Sequence, residues 1–313
     1  MDKNAYDVVV VGGGTAGLSA ALILGRSRRR TLVVDAGEPR NAPTAHMHGY
    51  LSRDGMSPAT FLEVGRREVA SYGVELAEDR VSGAVPDGAD GFHVRLAGGR
   101  TVHARRLVVT TGLVDELPDI AGVAERWGRD VLHCPYCDGW EVRGRPFGVI
   151  ASPVAGAHQA LLLSHWSSDV TLFLHTVQTL SDEDGRRLAA ANIVVVTGEV
   201  AGLAVEADRL TGVRMADGRI IERSVLFVAP RFTPRDGLLT ALGAETNETP
   251  FGPYVSVDAT GRTSVPGVWA AGNAVGPAEQ VVNAASAGYR AGATINNELV
   301  MADLDRAAAA LSR

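Results

Sequence analysis

Tyr6-Asp7-Val8-Val9-Val10-Val11-Gly12-Gly13-Gly14-Thr15-Ala16-Gly17 is the stretch that decides the fold. Its first half is a continuous apolar, β-branched run, the pattern of a strand buried on both faces. Its second half is G-x-G-x-x-G. A helical pattern follows through Leu18, Ala21, Leu22 and Leu24, then a second apolar run at 31–34 that ends on an acid, Asp35. The order strand, glycine loop, helix, strand, acid assigns a physical job to each part. Gly12 makes the tight turn, Gly14 lets backbone approach a pyrophosphate, and Gly17 lets helix and strand pack closely. The helix N-terminus faces the phosphates, and Asp35 accepts from a ribose hydroxyl. Gly12, Gly14, Thr15, Ala16, Gly17 and Asp35 are therefore the expected contacts of a bound dinucleotide.

Working outward, residues 36–56 are rich in Gly, Pro and Asn and read as a long loop, of the length that usually serves function. Ser57-Pro58 opens a helix to about Tyr72. Residues 92–102 alternate around Gly98-Gly99 as a hairpin, and 107–112 is a further buried strand ending in a turn. The apolar pattern restarts at 146–150. A helix through Ala157, Leu161, Leu162 and Trp166 follows, then a strand at 170–174, a polar helix from Asp182 and a strand at 193–196. A hairpin at 203–221 and a strand at 225–228 complete a second β-α-β unit. The chain returns near Pro234-Arg235-Asp236, and 279–301 reads as a long helix with Ala and Gly on its packing face. The expected fold is α/β, two Rossmann-like (three-layer ββα) domains with the second inserted into the first. The first spans 1–115 and 236–313, the second 116–235.

Composition narrows the partners. The net charge of −6 and pI near 5.8 leave no basic surplus to neutralise phosphates, so no nucleic acid is expected. The run Arg26, Arg28, Arg29, Arg30 reads as a solvated helix end. No apolar run reaches the length of a membrane span. No secretory leader pattern opens the chain, and the expected location is cytoplasmic.

The only two cysteines stand in Cys134-Pro135-Tyr136-Cys137-Asp138. Pairs at this spacing close and reopen a small disulfide by thiolate exchange. A structural zinc needs a second Cys or His pair, which the sequence does not supply, so no metal is expected. Two buried thiols would leave the Pro/Tyr turn and the following acid unexplained. The favoured reading is a redox-active pair.

Taken together, the glycine loop, Thr110-Thr111-Gly112, Cys134-Pro135-Tyr136-Cys137-Asp138-Gly139 and Pro266-Gly267-Val268-Trp269-Ala270-Ala271-Gly272-Asn273 resemble the low-molecular-weight thioredoxin reductase family over nearly the whole chain. The resemblance implies FAD in the outer domain, a nicotinamide-type inserted domain carrying the cysteines, and a homodimer. It places Cys137 nearest the flavin and Cys134 toward substrate, with Asp138 as acid/base; an N-cap is the other reading of Asp138. It puts Gly112, Gly272, Asn273, Gln280 and Val281 among the flavin contacts, Asn273 standing where the family has Asp.

The second glycine loop departs from the pattern. Residues 151–156 read Ala-Ser-Pro-Val-Ala-Gly, and Pro153 lacks the N–H a phosphate loop uses. The arginines expected after the next strand are absent; 173–178 read Phe-Leu-His-Thr-Val-Gln. These residues argue against NADPH. Electrons are then expected to enter from a small-molecule dithiol and leave through the flavin to dioxygen. A reductase of thioredoxin-like proteins, fed by ferredoxin or an atypical NAD(P)H site, is the alternative, and a flavin-bound redox sensor the third. His48 is the expected base for an incoming thiol, with His46 and His133 as further candidates. Trp140 reads as packing and His158 as an ordinary helix residue.

Overall fold

The computed structural model describes residues 4–88, 91–152 and 156–311. The chain divides into two compact units, one of Met1–Ala42, Pro58–Val114 and Thr233–Arg313, the other of Pro43–Ser57 and Asp115–Phe232. Both are α/β.

In the first unit, strand β1 (Ala5–Val11) lies centrally, with helix α1 (Thr15–Arg26), β2 (Thr31–Asp35), α2 (Pro58–Ser71), β3 (Glu75–Glu78), β4 (Val81–Pro86), β5 (Phe92–Leu96) and β6 (Thr101–Val109) following. The sheet order is β3-β2-β1-β6-β5-β4, with the late strand Val268–Ala270 added beside β6. β1 pairs parallel with β2 and with β6, in register Val10↔Val33 and Val10↔Val108. Val8, Val9 and Val10 are fully buried, as a β-branched run between two covered faces requires. The reading of 92–102 and 107–112 as separate strands needs one correction: β6 is continuous from 101 to 109.

One face of this sheet is covered by α1 and the last helix, Val281–Leu311. These two helices meet through small residues. A Cβ on Gly288 would lie 2.0 Å from the Ala16 carbonyl oxygen, and one on Gly292 would lie 2.4 Å from the Ile23 side chain. The helix starts two residues later and runs ten residues longer than its pattern indicates. An ion-pair network accounts for the extra length: Asp303 binds Arg29, Arg105 and Arg306. Arg29 is only 12% exposed there, Arg26 stacks on Tyr72 and Arg30 on Tyr6. Arg26 and Arg28 stay exposed at the helix end, as the sequence leads one to expect, while Arg29 and Arg30 are drawn into packing contacts.

In the second unit, five parallel strands stand in the order Val194–Val196, Val170–Phe173, Phe147–Ile150, Val225–Phe227, Val131–Leu132. Their flanking cores include fully buried Phe147, Phe173 and Phe227. The expected hairpin at 203–221 is a three-stranded antiparallel sheet, Val200–Glu206, Arg209–Met215 and Ile220–Glu222. Its corner is fixed by Arg126 and Asp130, both buried and paired, with Asp208 also on Arg126.

The loop Pro43–Ser57 belongs with this second unit, although the sequence boundary of 115 assigned it to the first. Its contacts explain the difference. Met47 is buried, the Pro43 carbonyl lies against Gly128, and His48 faces Glu141.

Candidate active site

The glycine loop between β1 and α1 is shaped by backbone crowding. Gly12 has φ +106°, and a Cβ there would lie 2.5 Å from the Thr110 carbonyl oxygen. The Thr110 hydroxyl donates to the Gly12 carbonyl at 2.9 Å. A Cβ on Gly13 would strike the Asp35 carboxyl at 2.7 Å, and one on Gly17 would lie 1.9 Å from the Gly12 oxygen. Gly14, by contrast, has nothing within 4 Å of its Cβ position. The loop is closed toward the protein at 12, 13 and 17 and open at 14, the shape a pyrophosphate needs. Asp35 ends β2 with Oδ2 3.2 Å from Arg66, a partner the sequence pattern did not suggest.

The remaining expected flavin contacts lie in the same unit. Gly112 has φ +73°, and its carbonyl accepts from the Arg235 N–H at 2.9 Å. Gly272 has φ +70°, and a Cβ there would lie 3.0 Å from that of Ala16, so Thr15-Ala16 and Gly272 share one neighbourhood. Asn273 donates through Nδ2 to the Gly276 and Pro277 carbonyls at 3.0 and 3.2 Å. Its donor half is spent on this turn, which leaves Oδ1 for any ligand. Gln280 precedes the last helix and accepts from the Ala284 N–H at 2.8 Å; Val281 is its first residue. These residues fit an FAD: a loop bare of side chains where phosphates sit, a carboxylate for the ribose and a helix start.

In the second unit, Cys134 and Cys137 form a disulfide with Cα atoms 5.2 Å apart. The segment Pro135–Asp138 is a short helical turn with proline at its first position and Cys134 at its N-cap. Asp138 is the last residue of that turn, which excludes it as the cap. It is half-buried, and its carboxyl is pushed up to about 6, first by burial and then by the like charge of Glu141, with His48 pulling the other way. A carboxyl so placed can give and take a proton near neutral pH.

His48 lies between two acids. Its Nδ1 is 3.3 Å from Asp54 Oδ2 and its Nε2 is 3.5 Å from Glu141 Oε1. Asp54 is itself held by the Gly49 N–H at 2.8 Å. The structure thus brings His48 to the acid beside Asp138. His46 is exposed on the same loop. His133 has Nδ1 3.0 Å from the Val228 carbonyl oxygen and its ring against Phe232. Its backbone carbonyl accepts from Gln159 Nε2 at 2.5 Å. His158 is exposed.

Trp140 is not a packing residue. It is 64% exposed, with the Arg143 guanidinium 3.9 Å over its ring. With Tyr136, Trp166, His165 and Leu162 it lines an open cleft of about 610 Å³. Gly139 lets Trp166 come this close to the disulfide turn, since a Cβ there would lie 3.1 Å from the indole. Pro153 and its neighbours 154 and 155 lie outside the described residues. After the strand Val170–Phe173, His175 takes φ +52° and its Nδ1 accepts from the Val200 N–H at 3.1 Å.

The site residues missed by the sequence reading are Glu141, Asp54 and Arg66. Glu141 had a legible signal, three residues after Asp138 and so on a neighbouring turn. Asp54 and Arg66 meet their partners only through the folded loop and helix.

Comparison with known proteins agrees with this geometry. The family model described as pyridine nucleotide-disulphide oxidoreductase matches residues 6–288. The chain is 32% identical over 320 residues to thioredoxin reductase tcpT of Claviceps purpurea (strain 20.1), covering 97% of each. It is 31% identical to thioredoxin reductase sirT of Leptosphaeria maculans, covering 96% of each. The crystal structure of HlmI aligns with TM-score 0.95 and 51% identity, covering 100% of this chain and 98% of that one. The chain belongs to the pyridine nucleotide-disulphide oxidoreductase family and is a thioredoxin reductase-like, FAD-dependent disulfide oxidoreductase.

Proposed function

We propose that this enzyme oxidises dithiols to disulfides at Cys134–Cys137, with dioxygen as the final acceptor. The observation that carries this reading is the second β-α-β unit, whose strands are intact while its nucleotide-gripping residues are not. The loop sequence at 151–156 keeps none of the three loop glycines in register, and the strand that should lead to arginines leads to His175, whose ring serves the Val200 backbone. A nicotinamide has little to hold it there, so the electrons are supplied from the thiol side.

In this reading a substrate thiolate attacks Sγ of Cys134, and Cys137 leaves as a thiolate. The second substrate thiol gives its proton to Asp138 and attacks the substrate sulfur joined to Cys134. The product disulfide forms, and Cys134 leaves with the electron pair and takes a proton. FAD, where bound, would supply the two-electron redox chemistry between the cysteine pair and dioxygen. Gly12, Gly14, Thr15, Ala16, Gly17 and Asp35 would hold its adenosine diphosphate half; Gly112, Gly272, Asn273, Gln280 and Val281 would line the rest. The enzyme works as a cytoplasmic homodimer in this reading.

A second reading draws on the relatives named thioredoxin reductase: reduction of a thioredoxin-like protein disulfide. Anaerobic titration of the holoenzyme separates the two. Dithiothreitol should bleach the flavin band, air should restore it, and Cys137→Ser should abolish the bleaching. Stoichiometric bleaching by NADPH would overturn the oxidase reading.

A further inference from the structure

Asp138 and Glu141 lie on successive turns of one segment, and the Glu141 N–H donates to the Asp138 carbonyl at 3.1 Å. Two carboxylates at this spacing oppose each other's ionisation. His48 arrives from a different stretch of chain, the loop Pro43–Ser57, and sets its Nε2 3.5 Å from Glu141. Asp54 holds the other ring nitrogen at 3.3 Å, and its own position is fixed by the Gly49 N–H. The Met47 N–H and carbonyl bond to Met56 and Gly55, both at 2.9 Å, which closes the loop around His48. An imidazole clamped from both sides between carboxylates is an oriented group.

We propose that Glu141 and His48, with Asp54 as their anchor, are positioning residues that set when Asp138 holds its proton. This rests on Cys134–Cys137 being the working redox pair. Glu141 favours the protonated carboxyl by charge repulsion, and the imidazolium form of His48 favours the carboxylate. Because His48 also pairs with Glu141, the two residues act on Asp138 together. Among the described residues, the charged groups that act on the Asp138 carboxyl are Glu141 from its own segment and His48 from the loop; Arg143, on the next turn, is committed to the Trp140 carbonyl and ring.

The proton balance shows why the setting matters. In exchange, a dithiol loses two S–H protons and one electron pair, and the enzyme disulfide takes up the pair. One proton ends on Cys134; the other leaves if Cys137 stays a thiolate. Asp138 accepts the proton of the second substrate thiol and must then release it, so its affinity for protons fixes the pH at which exchange runs. The loop that carries His48 thereby governs an acid on another segment.

The test is the carbon-13 titration of the Asp138 carboxyl in full-length holoprotein, assigned by its loss in Asp138→Asn. It is combined with the pH profile of anaerobic reduction by dithiothreitol. Glu141→Gln should move the Asp138 midpoint down and His48→Gln should move it up, each by about half a pH unit, a roughly threefold rate change on the sloping limb. The double variant should fall between them. Midpoints that stay at the wild-type value, or move in the same direction, overturn the proposal. If Glu141→Gln does not fold, the direction of the His48→Gln shift decides alone, because His48 lies on a loop. The titration needs no turnover: shifts without reduction by dithiothreitol leave this assignment standing and sink the oxidase reading.

Discussion

The carbonyl oxygen of Gly12 stands 1.9 Å from the point where a Cβ on Gly17 would be, so the loop and the first turn of α1 fit only without a side chain. Gly17→Ala must displace backbone rather than a flexible side-chain end. We expect a stability loss of about 2–3 kcal/mol and a purified protein nearly free of flavin. Thermal unfolding and the flavin-to-protein absorbance ratio measure both. A folded Gly17→Ala protein with full flavin content would contradict the packing described.

Burial, and then the like charge of Glu141, push the Asp138 carboxyl from an ordinary 3.8 up to about 6 in the fold. Because the folded value is raised, the fold favours the neutral acid. The cost of ionising it is absent below about pH 4 and fully present above pH 6. Asp138→Asn, compared in the disulfide form, should stabilise the protein by roughly 2–3 kcal/mol at pH 8 and leave it unchanged at pH 4. Urea unfolding at the two pH values gives the answer; equal effects at both would refute the raised acid.

Asp130 is buried with Arg126 and also accepts from the Leu210 N–H at 2.9 Å. Asp130→Ala leaves the buried Arg126 guanidinium with Asp208 alone and the Leu210 N–H without its acceptor, for a loss of about 2–3 kcal/mol. Arg129→Ala, whose partner Asp208 is exposed, should cost less than about 1 kcal/mol. A reversal of this ranking in chemical denaturation would show that the corner of the second unit is held elsewhere.

Asn273 closes its turn through an amide N–H, which a carboxylate cannot supply. Asn273→Asp faces two carbonyl oxygens with negative charge. Although the family resemblance drawn from the sequence implies Asp at this position, the substitution should lower flavin retention on dilution by several-fold. Equilibrium dialysis against flavin-free buffer tests this, and unchanged retention would show that the turn does not depend on the amide.

Asp303 binds three arginines, and hydrogen bonds from Arg105 and Arg29 hold its carboxyl far below the usual range. The stabilisation it contributes is present above about pH 4 and is lost as pH falls further. Asp303→Asn should therefore lower the melting temperature at pH 7 and narrow that gap in acid. A melting-temperature difference that is constant with pH would show that charge is not what anchors the last helix.

Much of the fold was legible because burial on both faces forces a continuous apolar run, as in Val8–Val9–Val10, and because a glycine that must touch backbone, such as Gly17, leaves a fixed spacing. The cysteine pair was legible because a disulfide at this spacing needs nothing from elsewhere in the chain. The loop Pro43–Ser57 was not. Its allegiance depends on where His48 finds Glu141 far along the chain, and nothing in 36–56 encodes that. Trp140 was misread because aromatic residues are usually buried, and only the three-dimensional cleft shows an indole left in solvent under an arginine. The length of the last helix was hidden likewise, since Asp303 looks like an ordinary surface acid until Arg29 and Arg105 are brought to it.

The close seam between α1 and the last helix has a consequence for synthesis. Ala16 and Gly288 must meet before the first sheet is covered on that face, so a nascent chain cannot complete the first unit until its final helix leaves the ribosome. Apart from the loop at 43–57, the second unit draws its contacts from 115–232 and can assemble earlier. The amino-terminal strands are made first and finished last. Until then that face of β1 and β2, covered by α1 and α2 alone, keeps apolar surface open to chaperones and to aggregation.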